Sequence, residues 1–190
     1  VEITAADNIV DANFANVTTI ETLKLTDASS AVLGTAAHAA STGTLTVATG
    51  AGATSITGAN NIALNVDADT LANNVALSLA DNNTGSNFVV TNLQGNLVTT
   101  NLAGTLTVTT KDASDDNITI ASAHGATTVN LATSAAGSTV TTIEADDLVD
   151  DVALTINSSS GAAGTVNITG LEGDLDLTNA SSGAITVTLD

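Results

Sequence analysis

Apolar and polar residues alternate along most of the chain. Gly43-Thr-Leu-Thr-Val47, Val75-Ala-Leu-Ser-Leu79, Gly104-Thr-Leu-Thr-Val-Thr109 and Val152-Ala-Leu-Thr-Ile156 show the pattern plainly. A period of two built from Val, Ile, Leu and Thr is the mark of strands with one buried face. The same alternation predicts strands over residues 17–26, 62–66, 88–93, 117–120, 127–131, 138–143, 165–168, 174–177 and 184–189. Short clusters of Gly, Asn, Asp, Ser and Ala lie between them and supply turns, with strand starts about 8 to 14 residues apart. Helical spacing is confined to residues 36–40 and the segments around Leu71 and Leu148.

A longer period overlies this one. Leu71-Ala-Asn-Asn-Val-Ala-Leu-Ser-Leu79 aligns with Leu148-Val-Asp-Asp-Val-Ala-Leu-Thr-Ile156 at an offset of 77. The match continues from Val90–Leu97 to Ile168–Leu175 at 78, and from Gly104–Thr109 to Gly183–Thr188 at 79. Residues 71–109 thus match 148–188, an internal duplication within one continuous array covering 1–190. Shorter echoes join Val17-Thr-Thr-Ile-Glu21 to Val140-Thr-Thr-Ile-Glu144 and Gly43–Val47 to Gly104–Val108. Such copies accumulate where one unit stacks on its neighbour.

Two all-β architectures fit. In a parallel β-solenoid (β-helix), three strands per coil would put equivalent positions about 30 residues apart, as Val75 and Thr105 or Val152 and Ala184 suggest, giving about six coils at a spacing of ~4.8 Å. Tandem β-sandwich repeats of about 80 to 100 residues would account for the duplication directly. Sandwich cores usually hold bulky aromatics; this chain has Phe14 and Phe88, with no Trp, Tyr, Met, Cys or Pro, which favours the solenoid.

Composition narrows the function classes. Hydrophobic residues make up 43% of the chain, and mean hydropathy is +0.33, so it can build a core despite its charge. Two lysines, Lys24 and Lys111, stand against 20 carboxylates, for a net charge of −18. Such a surface repels nucleic acid and anionic membranes and attracts cations, so neither nucleic-acid binding nor membrane insertion is expected. No apolar run long enough to span a bilayer occurs, and Val1-Glu2-Ile3-Thr4 lacks an initiator Met and a basic leader, so we read the chain as a piece of something longer.

Catalytic chemistry is sparse. There is no Cys or Arg, and His38 and His124 sit among small residues as solvated loop side chains. No nucleophile-elbow, metalloprotease or phosphate-loop pattern occurs, so no enzyme is expected. Asp174 and Asp176 could form a glycosidase acid–base pair, but they alternate with Leu175 and Leu177 as the solvent face of a strand does. Calcium is the cofactor the turns suggest, because this ion wants six to eight oxygens. Its candidate ligands are Asp67 and Asp69; Asp112, Asp115 and Asp116; and Glu144, Asp146, Asp147, Asp150 and Asp151. The competing reading is that these carboxylates are solvated turn residues that keep the array soluble. Thr-x-Thr rows at Thr44/Thr46, Thr105/Thr107/Thr109 and Thr186/Thr188 raise an ice-binding face as a further alternative.

The phrase Val17-Thr-Thr-Ile-Glu-Thr-Leu-Lys-Leu-Thr-Asp27, repeated in part at Val140–Glu144, resembles repeats of bacterial surface-layer proteins and large secreted adhesins exported by type I secretion. The acidic, Cys-free, Thr/Ala/Asn/Gly-rich style matches over much of the chain. The resemblance implies an extracellular cell-surface scaffold, an S-layer lattice or adhesin stalk, that self-associates into a lattice or filament and is stabilised by calcium. The glycine-rich nonapeptides of calcium-binding β-rolls are missing, a departure from that pattern. A fibre or stalk module of a phage or bacterial appendage is the alternative from a binding class.

Overall fold

A computed structural model of the chain describes residues 2–3, 8–82, 84–111, 117–121, 125–131, 140–158, 165–178 and 184–189. The alternating segments become short strands: β1 (Glu2–Ile3), β2 (Asn8–Ile9), β3 (Ile20–Leu25), β4 (Ser29–Leu33), β5 (Ser41–Ala48), β6 (Thr54–Gly58), β7 (Ala63–Asp67), β8 (Ala76–Ala80) and β9 (Asn87–Leu93). They continue as β10 (Asn96–Thr100), β11 (Leu106–Thr110), β12 (Asn117–Ala121), β13 (Thr127–Leu131), β14 (Val140–Glu144), β15 (Ala153–Ser158), β16 (Thr165–Leu171), β17 (Asp174–Thr178) and β18 (Ile185–Leu189). One short helix, α1 (Thr35–Ala40), realises the helical spacing at residues 36–40.

Odd-numbered strands form one nine-stranded sheet and even-numbered strands the other. Every neighbouring pair within a sheet is parallel, for example β7 with β9 and β8 with β10. The chain is therefore a parallel β-solenoid, not a series of antiparallel sandwiches, and each coil contributes one strand to each sheet. A coil of two strands is shorter than the three-strand coil expected from the sequence. Val90 has Val108 as its rung partner, and Val129 has Ile156, so coil length also varies along the array. Val75 and Thr105, the pair that suggested a three-strand coil, lie just ahead of β8 and β11, which belong to different sheets.

The core lies between the sheets and consists of stacked columns. In the first sheet Leu23, Val47, Val66, Val90, Val108, Val129 and Ile156 are successive inward partners, each essentially buried. In the second, Leu77, Leu97, Ile118, Ile143 and Ile168 do the same. Full burial of each such side chain contributes about 1.5–3 kcal/mol, which is why a chain nearly free of aromatics can hold this shape. Phe88 is the one large ring in the stack, between Leu64 and Leu106. Where a small polar residue begins a strand on the inward side, its hydroxyl donates to the carbonyl two residues earlier. Ser29 donates to Asp27 (3.1 Å), Thr54 to Gly52 (3.2 Å) and Thr127 to Gly125 (3.3 Å).

The segments around Leu71 and Leu148 are not helices but paired turns. The Leu71 and Val75 amides donate to the carbonyls of Ala68 and Ala72, both at 3.1 Å, while Leu148 and Val152 donate to Ala145 (3.2 Å) and Val149 (3.1 Å). Both leucines point inward and are buried. Among the described residues, no helix is long and apolar enough to cross a membrane.

Candidate functional site

Two kinds of surface are presented, corners and flat faces, and the charge is divided unequally between them. At the first acidic corner, β7 ends in Asp67 and turns through Asp69 and Leu71 into β8. Asp67 Oδ1 accepts from the Asp69 amide (3.2 Å) and from Asn92 Nδ2 (3.0 Å) on the next coil. Asp69 Oδ1 lies 2.9 Å from Lys111 Nζ, two coils along, and the Asp69 carbonyl accepts from Gln94 Nε2 at 2.7 Å. The candidate pair is thus engaged with a cation and amides from the chain itself. Both members of the ion pair are solvent-exposed, which limits its contribution to about 1 kcal/mol or less.

The second acidic corner joins β14 to β15 and carries Glu144, Asp146, Asp147, Asp150 and Asp151, all exposed. By the duplication it corresponds to the first corner, with Asp146 in the place of Asp69 and Glu172 in the place of Gln94. Among the described residues, no group of three or more carboxylate or imidazole side chains is gathered so as to hold a metal ion. Asp112, Asp115, Asp116 and His124 lie outside the described residues. His38 is exposed on α1, and Asp174 and Asp176 are exposed on β17, alternating with Leu175 and Leu177.

Asp11 is a carboxylate with a definite task that sequence reasoning did not single out. It lies far ahead of α1 in the chain, yet its oxygens accept from the amides of Gly34 (2.7 Å), Ala36 (3.1 Å) and Ala37 (2.9 Å). Burial pushes its carboxyl up, but the amides of Ala37, Ala36 and Gly34 together outweigh that and hold it below the ordinary value of 3.8. Its role is to cap a helix whose own N-cap, Gly34, has no side chain to do so.

The flat faces differ from each other. Strands of the first sheet carry Glu2, Glu21, Lys24, Asp67, Asp174 and Asp176, whereas those of the second sheet carry a single charged residue, Glu144. On the outer face of the first sheet Thr22, Thr46, Asn65, Val89, Thr107, Thr128 and Thr155 succeed one another, so Asn65 and Val89 interrupt the threonine column. Thr186 lies on the other sheet, so the Thr-x-Thr rows do not form one grid. On the outer face of the second sheet Ser30, Ser55 and Ser78 are rung partners, flooring a shallow groove of about 300 Å³ that reaches Asn8 and Ala76.

These features define a two-sheet parallel β-solenoid whose charges are concentrated away from one flat face. No family model matches the chain, and no curated protein or solved structure is significantly similar to it.

Proposed function

We propose that the chain is a structural segment of an extracellular cell-surface scaffold, an S-layer lattice or adhesin stalk, whose work is mechanical. The observation that supports this reading is the pair of nine-stranded parallel ladders, β1 to β17 and β2 to β18, over core columns that change side chain but never direction. Each added coil repeats the same hydrogen-bonded rung and buries the same kind of column, so stiffness extends with length at about 4.8 Å per coil. The net charge of −18 keeps so repetitive a chain soluble. No residue needs to be catalytic in this role.

Immunolabelling of intact, unpermeabilised cells that produce the chain tests the reading. Label arranged on the exterior, as an array or along fibres, is the expected result. Label that appears only after permeabilisation overturns it.

A further inference from the structure

Two faces of a molecule carrying a charge of −18 are not equally able to meet another copy, and the second sheet is the one from which charge has been kept. Asn8, Ser30, Ser55, Ser78, Val98 and Thr119 run down the middle of its outer face as successive rung partners. Glu144 follows in the same column. We propose that this face pairs with the same face of a second molecule, back to back, about a two-fold axis lying between the faces and running along β10. The proposal rests on the scaffold reading and names the surface by which segments are cross-braced.

Shape selects that axis. Beside the central column, Ala76 stands on β8, whereas Asn96, Asn117, Thr142 and Asn167 occupy the same column further along. On this side of the central column, the half around β8, β6 and β4 is therefore lined by Ala and Ser and grooved, with Val32 and Thr57 standing on the column's other side. The half beyond β10 bears Asn, Thr and Glu144. Since β10 is the middle strand of nine, rotation about it lays the Asn/Thr half of each molecule over the grooved half of the other. Charge selects it as well. The rotation sets β14 above β6, so Glu144 meets the hydroxyl of Ser55, whereas an axis along the solenoid would set Glu144 against its own copy. Val98 lies on the axis itself.

Area permits a pair. Nine strands at ~4.8 Å and about five residues at ~3.3 Å give a face of roughly 40 by 17 Å, so a dimer buries roughly 1,300 Å², inside the range of about 1,200–2,000 Å² of specific interfaces. Small flat side chains let two such sheets approach to about 10 Å. The carboxylates on the corners repel across the pair, and salt screens that repulsion over a Debye length of about 10 Å at 0.1 M.

Sedimentation velocity over a range of concentrations tests this directly. The unaltered chain should pass from monomer to dimer and no further, with tighter association at higher salt. Val98→Glu places two carboxylates at the axis and should weaken the dimer at least tenfold. Val89→Glu, the same change at a 40% exposed valine on the outer face of the first sheet, should leave it unaltered. Ser55→Lys, facing Glu144 of the other molecule, should tighten it; unchanged circular dichroism shows that each variant is folded. A chain that stays monomeric at every concentration and salt, growth beyond the dimer, or equal effects of the two valine substitutions would overturn the pairing. A monomer found on the cell exterior leaves the scaffold reading standing, whereas a chain confined inside the cell overturns that reading whatever its oligomeric state.

Discussion

Leu71 and Leu148 occupy the same place in the fold on opposite sides of the coil. Leu71 lies in the connection from the first sheet to the second, between β7 and β8, and Leu148 in the connection from the second to the first, between β14 and β15. Around both, the backbone bonds match. Ala68 and Ala145 donate to Thr91 and Thr169, both at 2.9 Å, while Asn96 and Asp174 donate to Val75 (2.9 Å) and Val152 (3.1 Å). Asn74 and Asp151 take the same left-handed turn, with φ of 60° and 63°. The duplication therefore spans seven strands, an odd number, and carries each sequence from one sheet to the other. The unit of this fold is half a coil, one strand and one corner.

A shared packing constraint follows at Gly95 and Gly173. A Cβ on Gly95 would stand 2.2 Å from the Val75 carbonyl oxygen and 2.9 Å from Leu71 Cδ2; one on Gly173 would stand 2.3 Å from the Val152 oxygen and 2.8 Å from Leu148 Cδ2. Backbone cannot yield as a flexible side chain can. Gly95→Ala and Gly173→Ala should each lower stability by about 2–3 kcal/mol in urea unfolding. Gly43→Ala, with no neighbour within 4 Å, should raise it by about 0.5 kcal/mol. Equal effects at the three positions would disprove the shared corner.

The Asp11 cap gives a pH dependence of known sign. Three amides hold its carboxyl below 3.8 in the folded chain, so its contribution is present above the unfolded value and is lost as pH falls through the lower folded one. Asp11→Ala should cost about 1 kcal/mol at neutral pH. The gap between variant and parent should close as the pH is lowered through and below 3.8. A gap that persists at lower pH would show that the carboxylate charge is not what holds α1.

Thr49 is 2% exposed on the inward face, and its hydroxyl has no hydrogen-bond partner. A buried hydroxyl without a partner costs free energy that an isosteric methyl does not. Thr49→Val should therefore raise stability by about 1 kcal/mol, read from the urea midpoint at unchanged slope. A fall in stability would reveal a partner for the hydroxyl, such as an ordered water.

Alternation in the sequence revealed the fold class because most strands bury Leu, Val or Ile at every second position. It concealed the coil length because β4 and β6 turn Ser29 and Thr54 inward, and a buried hydroxyl satisfied by the turn before it reads as part of that turn. The strand β10 was concealed differently: only Gln94 and Gly95 separate it from β9, so the two run together. The spacing from Val75 to Thr105 in fact holds three strands, β8, β9 and β10, which is one and a half coils, so likeness between corners on opposite sides of the coil read as a full turn. The corners were legible as acidic runs but their chemistry was not. Lys111 reaches Asp69 and Asp11 reaches Gly34 over separations in sequence that only the stacking of coils explains. The face of the second sheet, whose strands carry Glu144 as their single charged residue, was invisible for the same reason, since its residues are drawn from every other strand.

Interchangeable half-coils permit a deletion that a fold with two distinct sheets would not survive. Removing positions 71–147 joins Thr70 to Leu148 at equivalent points of the two corners and takes out seven strands, β8 to β14. In the shortened chain β15 follows β7 and must occupy the sheet that β8 occupied, and every later strand changes sheet. Its inward residues suit the new place: Leu154 and Ile156 stand where Leu77 and Leu79 stood, and Val166 and Ile168 where Phe88 and Val90 stood, all of them buried in the full chain. The shortened protein should unfold cooperatively, keep its β-sheet circular dichroism and lose roughly 17 Å of length in small-angle scattering, the height of three and a half coils at ~4.8 Å. A deletion of equal length that joins a strand to a corner shifts inward residues to the outer face and should not fold. If both deletions fold equally well, or neither does, the half-coil is not the unit.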